Sequence, residues 1–136
     1  MTRAEIAEAL HRQGYNCAQA VACAFSDILD AEADTVYKIA EGFGGGMGNN
    51  EHVCGAVSAA VIIAGLKSSN GINEPSNKSQ TYQLSSKITD EFKRKNGTVI
   101  CRELKGTQTG NVLRSCAGCI EDAVKIAENI IFQKDN

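Results

Sequence analysis

Apolar positions along this chain recur at intervals of three and four residues, the spacing of helix faces. Thr2 followed by Glu5 is a capping-box signature that opens a first helix over residues 3–12, which Gly14 ends. Asn16 is a capping residue for a second helix whose apolar face runs Cys17, Ala20, Val21, Ala24, Ile28. A third helix is predicted over 33–41, stopping at Gly42, and the glycine-rich stretch GFGGGMGNN, residues 42–50, follows it. The fourth helix, 51–67, carries Val53, Val57, Ala60, Val61 and Ala64 in one stripe, widened by Ala56, Ile62 and Ile63. A helix so apolar around its circumference is expected to be central and the most buried, and its small residues permit close packing.

Residues 68–77, with the only proline at Pro75, read as a surface loop. A fifth helix over 78–95 has Leu84, Ile88 and Phe92 on one face, Lys93, Arg94 and Lys95 in its last turn, and Gly97 as its C-terminal cap. Residues 98–104, TVICREL, are β-branched enough for a strand. With no second strand to pair, a short helix capped by Thr98 is the expectation. The last helix starts near Leu113 or Ser115 and runs to about Phe132, with a stripe of Cys116, Cys119, Ile120, Ala123, Ala127, Ile130 and Ile131. The fold class is therefore all-α. A single helical bundle of five to seven helices spans residues 1–136, with the glycine loop before the central helix.

Composition narrows the setting. The formal charge of -2, with signs interspersed, leaves no footprint for nucleic acid or an anionic membrane. The opening residues lack the apolar stretch of a secretory signal. The longest apolar run, residues 53–66, is too short to span a bilayer. No membrane insertion and a cytoplasmic location are the expectations. In that setting clustered cysteines serve metal binding or redox chemistry more often than structural disulfides.

The chain has six cysteines. Cys17, Cys54, Cys101 and Cys116 each fall at the start of a predicted helix, on or beside its apolar stripe. Unpaired N–H groups and partial positive charge at a helix N-terminus favour a thiolate over a thiol, and the thiolate is the form that attacks disulfides and binds metals. Four helix starts converging at one end of a bundle would bring these sulfurs together. Cys23 lies mid-helix on another face and reads as packing. Cys116-Ala-Gly-Cys119 is a C-x-x-C able to form a disulfide or supply two ligands, but the βαβ context of a thioredoxin is absent. The glycine stretch lacks the lysine of a P-loop and a preceding strand, so its glycines read as tight turns and close backbone approach. Because it feeds into the helix bearing Cys54, its amides are also placed to hold a sulfur. His52, two residues before Cys54, reads as solvated at a helix start.

The runs GYNCAQAV (14–21), GFGGGMG (42–48), CGAVSAA (54–60), CRELKG (101–106) and C-x-x-x-IEDA (116–123) together resemble the redox-active protein family named for its cysteine pattern, C_GCAxxG_C_C. The resemblance covers nearly the whole chain. It implies that Cys17, Cys54, Cys101 and Cys116 are the family cysteines, with Cys23 and Cys119 additional. One departure is Ala59, where the family's C-G-A-x-x-G ends in glycine; no side-chain function is lost there. A similar segment occurs in multihaem redox proteins that also carry an iron–sulfur centre. This implies a metal role, although the chain has no C-x-x-C-H and attaches no c-type haem itself.

The expectation is a small redox protein, an oxidoreductase or electron carrier, whose site is Cys17, Cys54, Cys101 and Cys116, with Cys119 a further candidate. Two mechanisms stay open: dithiol–disulfide cycling, and an iron–sulfur cluster or zinc held by the four thiolates. From other classes come a structural zinc protein and a helical interaction protein with incidental cysteines. The redox partner and substrate are not written in the sequence. An Ala- and Gly-rich surface suits a homodimer.

Overall fold

The computed structural model describes residues 1–133. Seven α-helices follow one another among them: α1 (Arg3–Arg12), α2 (Cys17–Cys23), α3 (Ala33–Glu41), α4 (Gly55–Ser68), α5 (Lys78–Asn96), α6 (Cys101–Lys105) and α7 (Cys116–Phe132). A wide π-type turn occupies Gly46–Asn50, and a single 3₁₀ turn, Pro75–Asn77, precedes α5. Among the described residues there is no strand, only one antiparallel bridge between Val53 and Ile100. No described helix is long and apolar enough to cross a membrane.

The helix starts are fixed by local chemistry. Thr2 and Glu5 form the capping box of α1, and Asn16 and Gln19 form that of α2. Ser115 Oγ accepts the Gly118 amide and caps α7. α4 packs against α2, α5 and α7, while α1 lies on α7 and α3 on α2. The core is built largely from alanine. Ala18, Ala20 and Ala22 of α2 and Ala56, Ala59, Ala60 and Ala64 of α4 are all buried, so these backbones can approach closely. Aromatic and branched residues fill the periphery of this seam. Phe25 stacks on Phe132 at 5.5 Å between ring centroids, and the Arg3 guanidinium lies over the Phe25 ring at 4.9 Å. Fully burying a phenylalanine such as Phe92 contributes about 1.5–3 kcal/mol.

Four expectations need correction. α2 stops at Cys23, and residues 24–28 form short turns in which the Phe25, Ser26 and Ile28 amides donate three residues back. Ile28 is consequently 41% exposed, and Leu29 takes the core position instead. α4 begins at Gly55 rather than Glu51, because the backbone before it pairs sideways. The Cys54 amide donates to Val99 O at 2.7 Å and the Cys101 amide to His52 O at 2.9 Å. Residues 98–100 do find an extended partner, and the short helix begins only at Cys101. The share of buried residues is also higher in α2, five of seven, than in α4, seven of fourteen.

Candidate functional site

The Val53–Ile100 bridge has a direct consequence for chemistry. It sets Cys54, the N-cap of α4, beside Cys101, the first residue of α6. Two other helix starts, those of α2 and α7, open onto the same place. Cys17, Cys54, Cys101, Cys116 and Cys119 line one cavity of about 20 Å³, together with Gly45, Leu104, Lys105 and Arg114. The four sequence-predicted cysteines are thus brought together, and Cys119 joins them. Cys23 lies elsewhere, beside Ser26. His52 is exposed and contributes its carbonyl to the bridge rather than a side chain to the cavity.

Glycines make this density of sulfur possible. A methyl group on Gly55 would meet Cys17 Sγ at 2.5 Å and the Phe43 carbonyl oxygen at 2.8 Å. Gly46, at φ +57°, turns the glycine loop back over α6, where a methyl group would meet Cys101 Cβ at 2.6 Å. Within Cys116-Ala-Gly-Cys119, a side chain on Gly118 would strike the Arg114 guanidinium.

The sulfurs differ in accessibility and in protonation. Cys116 is exposed and Cys17 half-buried, whereas Cys54, Cys101 and Cys119 are buried. The Cys119 thiol is the partner of the Cys54 sulfur, and this hydrogen bond is the main cause that lowers the Cys54 pKa to about 7. Burial opposes the shift, while the Ala56 and Val57 amides at the start of α4 and the Lys105 charge reinforce it. No conventional side-chain cap forms at Cys54, so these amides act on the thiolate as the helix dipole does. The other acceptor near Cys119 is Arg114 O, at a long 4.0 Å. Sharing its proton with Cys54 and being buried push the Cys119 thiol far up, so it is the proton-bearing member of the pair. Burial also raises the Cys17 thiol, against the pull of the Gly45 amide. It raises Cys101 too, against the pull of Lys105.

Four residues at the site went unassigned in the sequence reading: Asn50, Lys105, Arg114 and Asp122. Asn50, at φ +65°, turns its side chain inward. Its Oδ1 accepts from Lys105 Nζ at 3.2 Å and faces Cys101 Sγ at 3.6 Å. Cys101 and Lys105 are four residues apart on one helical face, a signal that could have been read from the sequence. Asp122 is fully buried. It accepts from Arg114 Nε at 3.0 Å and Nη2 at 3.1 Å, from Lys95 Nζ at 2.9 Å and from Asn96 at 3.2 Å. Burial alone would raise its pKa, but these bonds outweigh burial and hold it below the usual carboxylate range. The network ties α5 to α7 and fixes Arg114 against the cysteines.

Thiolates are suitable donors for zinc or iron. Their spacing here is not that of a metal site: among the described residues no group of three or more Cys, His, Asp or Glu side chains stands in metal-holding geometry. The cavity between the sulfurs, about 20 Å³, has room for about one water-sized occupant as the side chains stand.

The fold and this concentration of thiols define a class, a helical protein with a multi-cysteine centre. The chain belongs to the family described as "putative redox-active protein (C_GCAxxG_C_C)", whose sequence model matches residues 15–130. No curated protein and no solved structure matches it.

Proposed function

We propose that the chain performs thiol–disulfide exchange, with Cys54 as attacking thiolate and Cys119 as resolving thiol. The observation that carries this reading is that Cys54 and Cys119 line one cavity at the starts of α4 and α7; the Cys119 thiol beside it lowers Cys54 to about 7, and the proximity of Cys54 with burial raises Cys119. An attacking thiol is most effective when its pKa lies near the ambient pH. The exposed Cys116, on the same cavity, is the sulfur by which a bulky disulfide reaches the pair.

The chemistry balances as follows. A thiolate of the protein attacks one sulfur of a substrate disulfide; a mixed disulfide forms and one substrate thiolate departs, taking up a proton. Where Cys116 is the entry point, the Cys54 thiolate then attacks the Cys116 sulfur and expels the second substrate thiolate. Cys119, giving up its proton, attacks the Cys54 sulfur and forms the Cys54–Cys119 disulfide, releasing Cys116. Two electrons and two protons pass from the dithiol to the substrate, and the reverse sequence oxidises a substrate dithiol.

A second reading, in which Cys17, Cys54, Cys101 and Cys116 hold a zinc ion or an iron–sulfur cluster, is favoured by the number of sulfurs, since a disulfide needs only two. It requires those sulfurs to rearrange on binding. One experiment separates the readings. The protein is purified anaerobically, its iron and zinc are measured, and the metal-free form is oxidised with 2-hydroxyethyl disulfide and mapped by mass spectrometry. Linked Cys54 and Cys119 peptides, reversed by dithiothreitol, support exchange. Stoichiometric metal with loss of reactive thiols supports the second reading. Six independently reacting thiols and no metal overturn both and favour a helical interaction protein.

A further inference from the structure

The cavity of sulfurs carries positive charge and, in its lining, no carboxylate. Its two cationic members are Lys105 and Arg114, which face the single thiolate of Cys54. They are not equivalent. Arg114 is committed to the buried Asp122 through two bonds and also lies 3.7 Å from Glu121. Lys105 is half-buried, and the partner of its ammonium is the neutral amide oxygen of Asn50 at 3.2 Å. Among the described residues no carboxylate forms an ion pair with it. An ammonium fixed by a neutral acceptor and by no carboxylate faces the Cys54 thiolate and whatever enters beside it, and the low-dielectric sulfur and Leu104 wall strengthens its field.

We infer that Lys105, held by Asn50, makes this site selective for disulfides that carry a carboxylate close to the sulfur. This rests on the exchange function proposed above and names its substrate class. Asn50 is the positioning residue: its left-handed backbone aims one oxygen at both Lys105 and Cys101, so the ammonium and the sulfurs keep a fixed separation. A carboxylate a few bonds from the scissile S–S bond is steered by Lys105 while its sulfur meets a protein thiolate. A cationic disulfide meets repulsion at the same point.

The test uses three small disulfides that differ in charge: dithiodiglycolate, 2-hydroxyethyl disulfide and cystamine. Reduced full-length protein is mixed with each, and each rate is divided by the rate of the same disulfide with free 2-mercaptoethanol. The expected order is anionic, neutral, cationic, with the anionic probe ahead of the cationic one by about tenfold or more. That ratio should shrink as salt rises. Lys105→Gln should bring it close to parity, and Lys105→Arg should keep it. If Lys105 serves only to stabilise thiolates, Lys105→Gln slows all three probes alike and leaves the ratio unchanged, which overturns the inference while leaving exchange intact. A wild-type ratio near one, or one insensitive to salt, overturns it without any variant. If none of the three disulfides oxidises the protein, the exchange function falls and the specificity falls with it.

Discussion

The two ends of α2 carry the same residue and opposite chemistry. At its start, Cys17 lies against the Gly55 backbone, receives the Gly45 amide and lines a cavity with four other sulfurs. At its end, Cys23 has burial and the Ser26 hydroxyl for surroundings, and burial raises its thiol. Ser26 Oγ is itself buried without a hydrogen bond of ordinary geometry, so this end holds no polar network that could bind a charged sulfur. Five residues of helix separate a thiol that joins four other sulfurs at a cavity from a thiol that does not. The difference lies in what the helix start meets, namely unpaired amides, a glycine loop and three other helix starts. A cysteine's surroundings here follow from its place along the helix rather than from its identity.

The largest expected effect sharpens that comparison. Cys54→Ser should abolish exchange with 2-hydroxyethyl disulfide by several orders of magnitude, because a hydroxyl of nearly the same size is not ionised at neutral pH. The accompanying pH profile has a definite sign. The lowered pKa means the Cys54 thiolate grows in as pH rises through about 7 and is lost below it. Iodoacetamide labelling of Cys54, read by mass spectrometry, should show that midpoint. Cys17, Cys23 and Cys101, raised by burial, should label appreciably only above the ordinary thiol range. Cys119→Ala removes the leading cause of the lowered value, so its midpoint should move up. An unmoved midpoint would detach Cys119 from the pair.

Next in size is Asp122→Ala. It strips a fully buried carboxylate from Arg114, Lys95 and Asn96, and breaking such a network from one side costs about 3–5 kcal/mol. Urea denaturation measures it. A loss under about 1 kcal/mol would mean that the network does not anchor Arg114 beside the cysteines.

The sequence made the helices legible because apolar spacing and caps act locally: Thr2 with Glu5 and Asn16 with Gln19 announce their helices within four residues. The four helix-start cysteines were visible for the same reason. What stayed hidden depends on contacts between distant segments. The late start of α4 comes from hydrogen bonds to residues some 45 positions further on, which no local pattern encodes. The pairing of Cys54 with Cys119 and the convergence of Arg114, Lys95 and Asn96 on Asp122 are likewise products of the folded chain. No local pattern marks Asp122 as an interior residue, yet it is fully buried. Lys105 was the one omission with a local signal, its four-residue spacing from Cys101.

A smaller effect tests the crowded end of α2 through its neighbour. Gly55→Ala adds a carbon that must displace Cys17 Sγ or the Phe43 carbonyl, and overpacking of this kind costs about 1–3 kcal/mol. The displaced atoms belong to the glycine loop and the cavity wall, so exchange should fall along with the melting temperature. A variant as stable and active as the parent would show that the seat between Cys17 and Gly55 can relax freely.

The smallest effect belongs to the other end. Cys23→Ala removes one half-buried sulfur from the close of α2, at an expected cost of about 1–2 kcal/mol in urea denaturation. It should leave the exchange rate, the labelling midpoint of Cys54 and any metal content as they are, since Cys23 contributes nothing to the lining of the cavity. Cys17→Ser is its mirror experiment on the same helix. Serine fits the space between Gly45 and Gly55 and can still accept the Gly45 amide, so stability should change little. The cavity loses one of its five sulfurs, however, and the reactivity of the remainder should alter. If the two variants prove indistinguishable in thiol reactivity, position along α2 does not determine what a cysteine does. The gathering of sulfurs at the helix starts would then be a matter of packing alone.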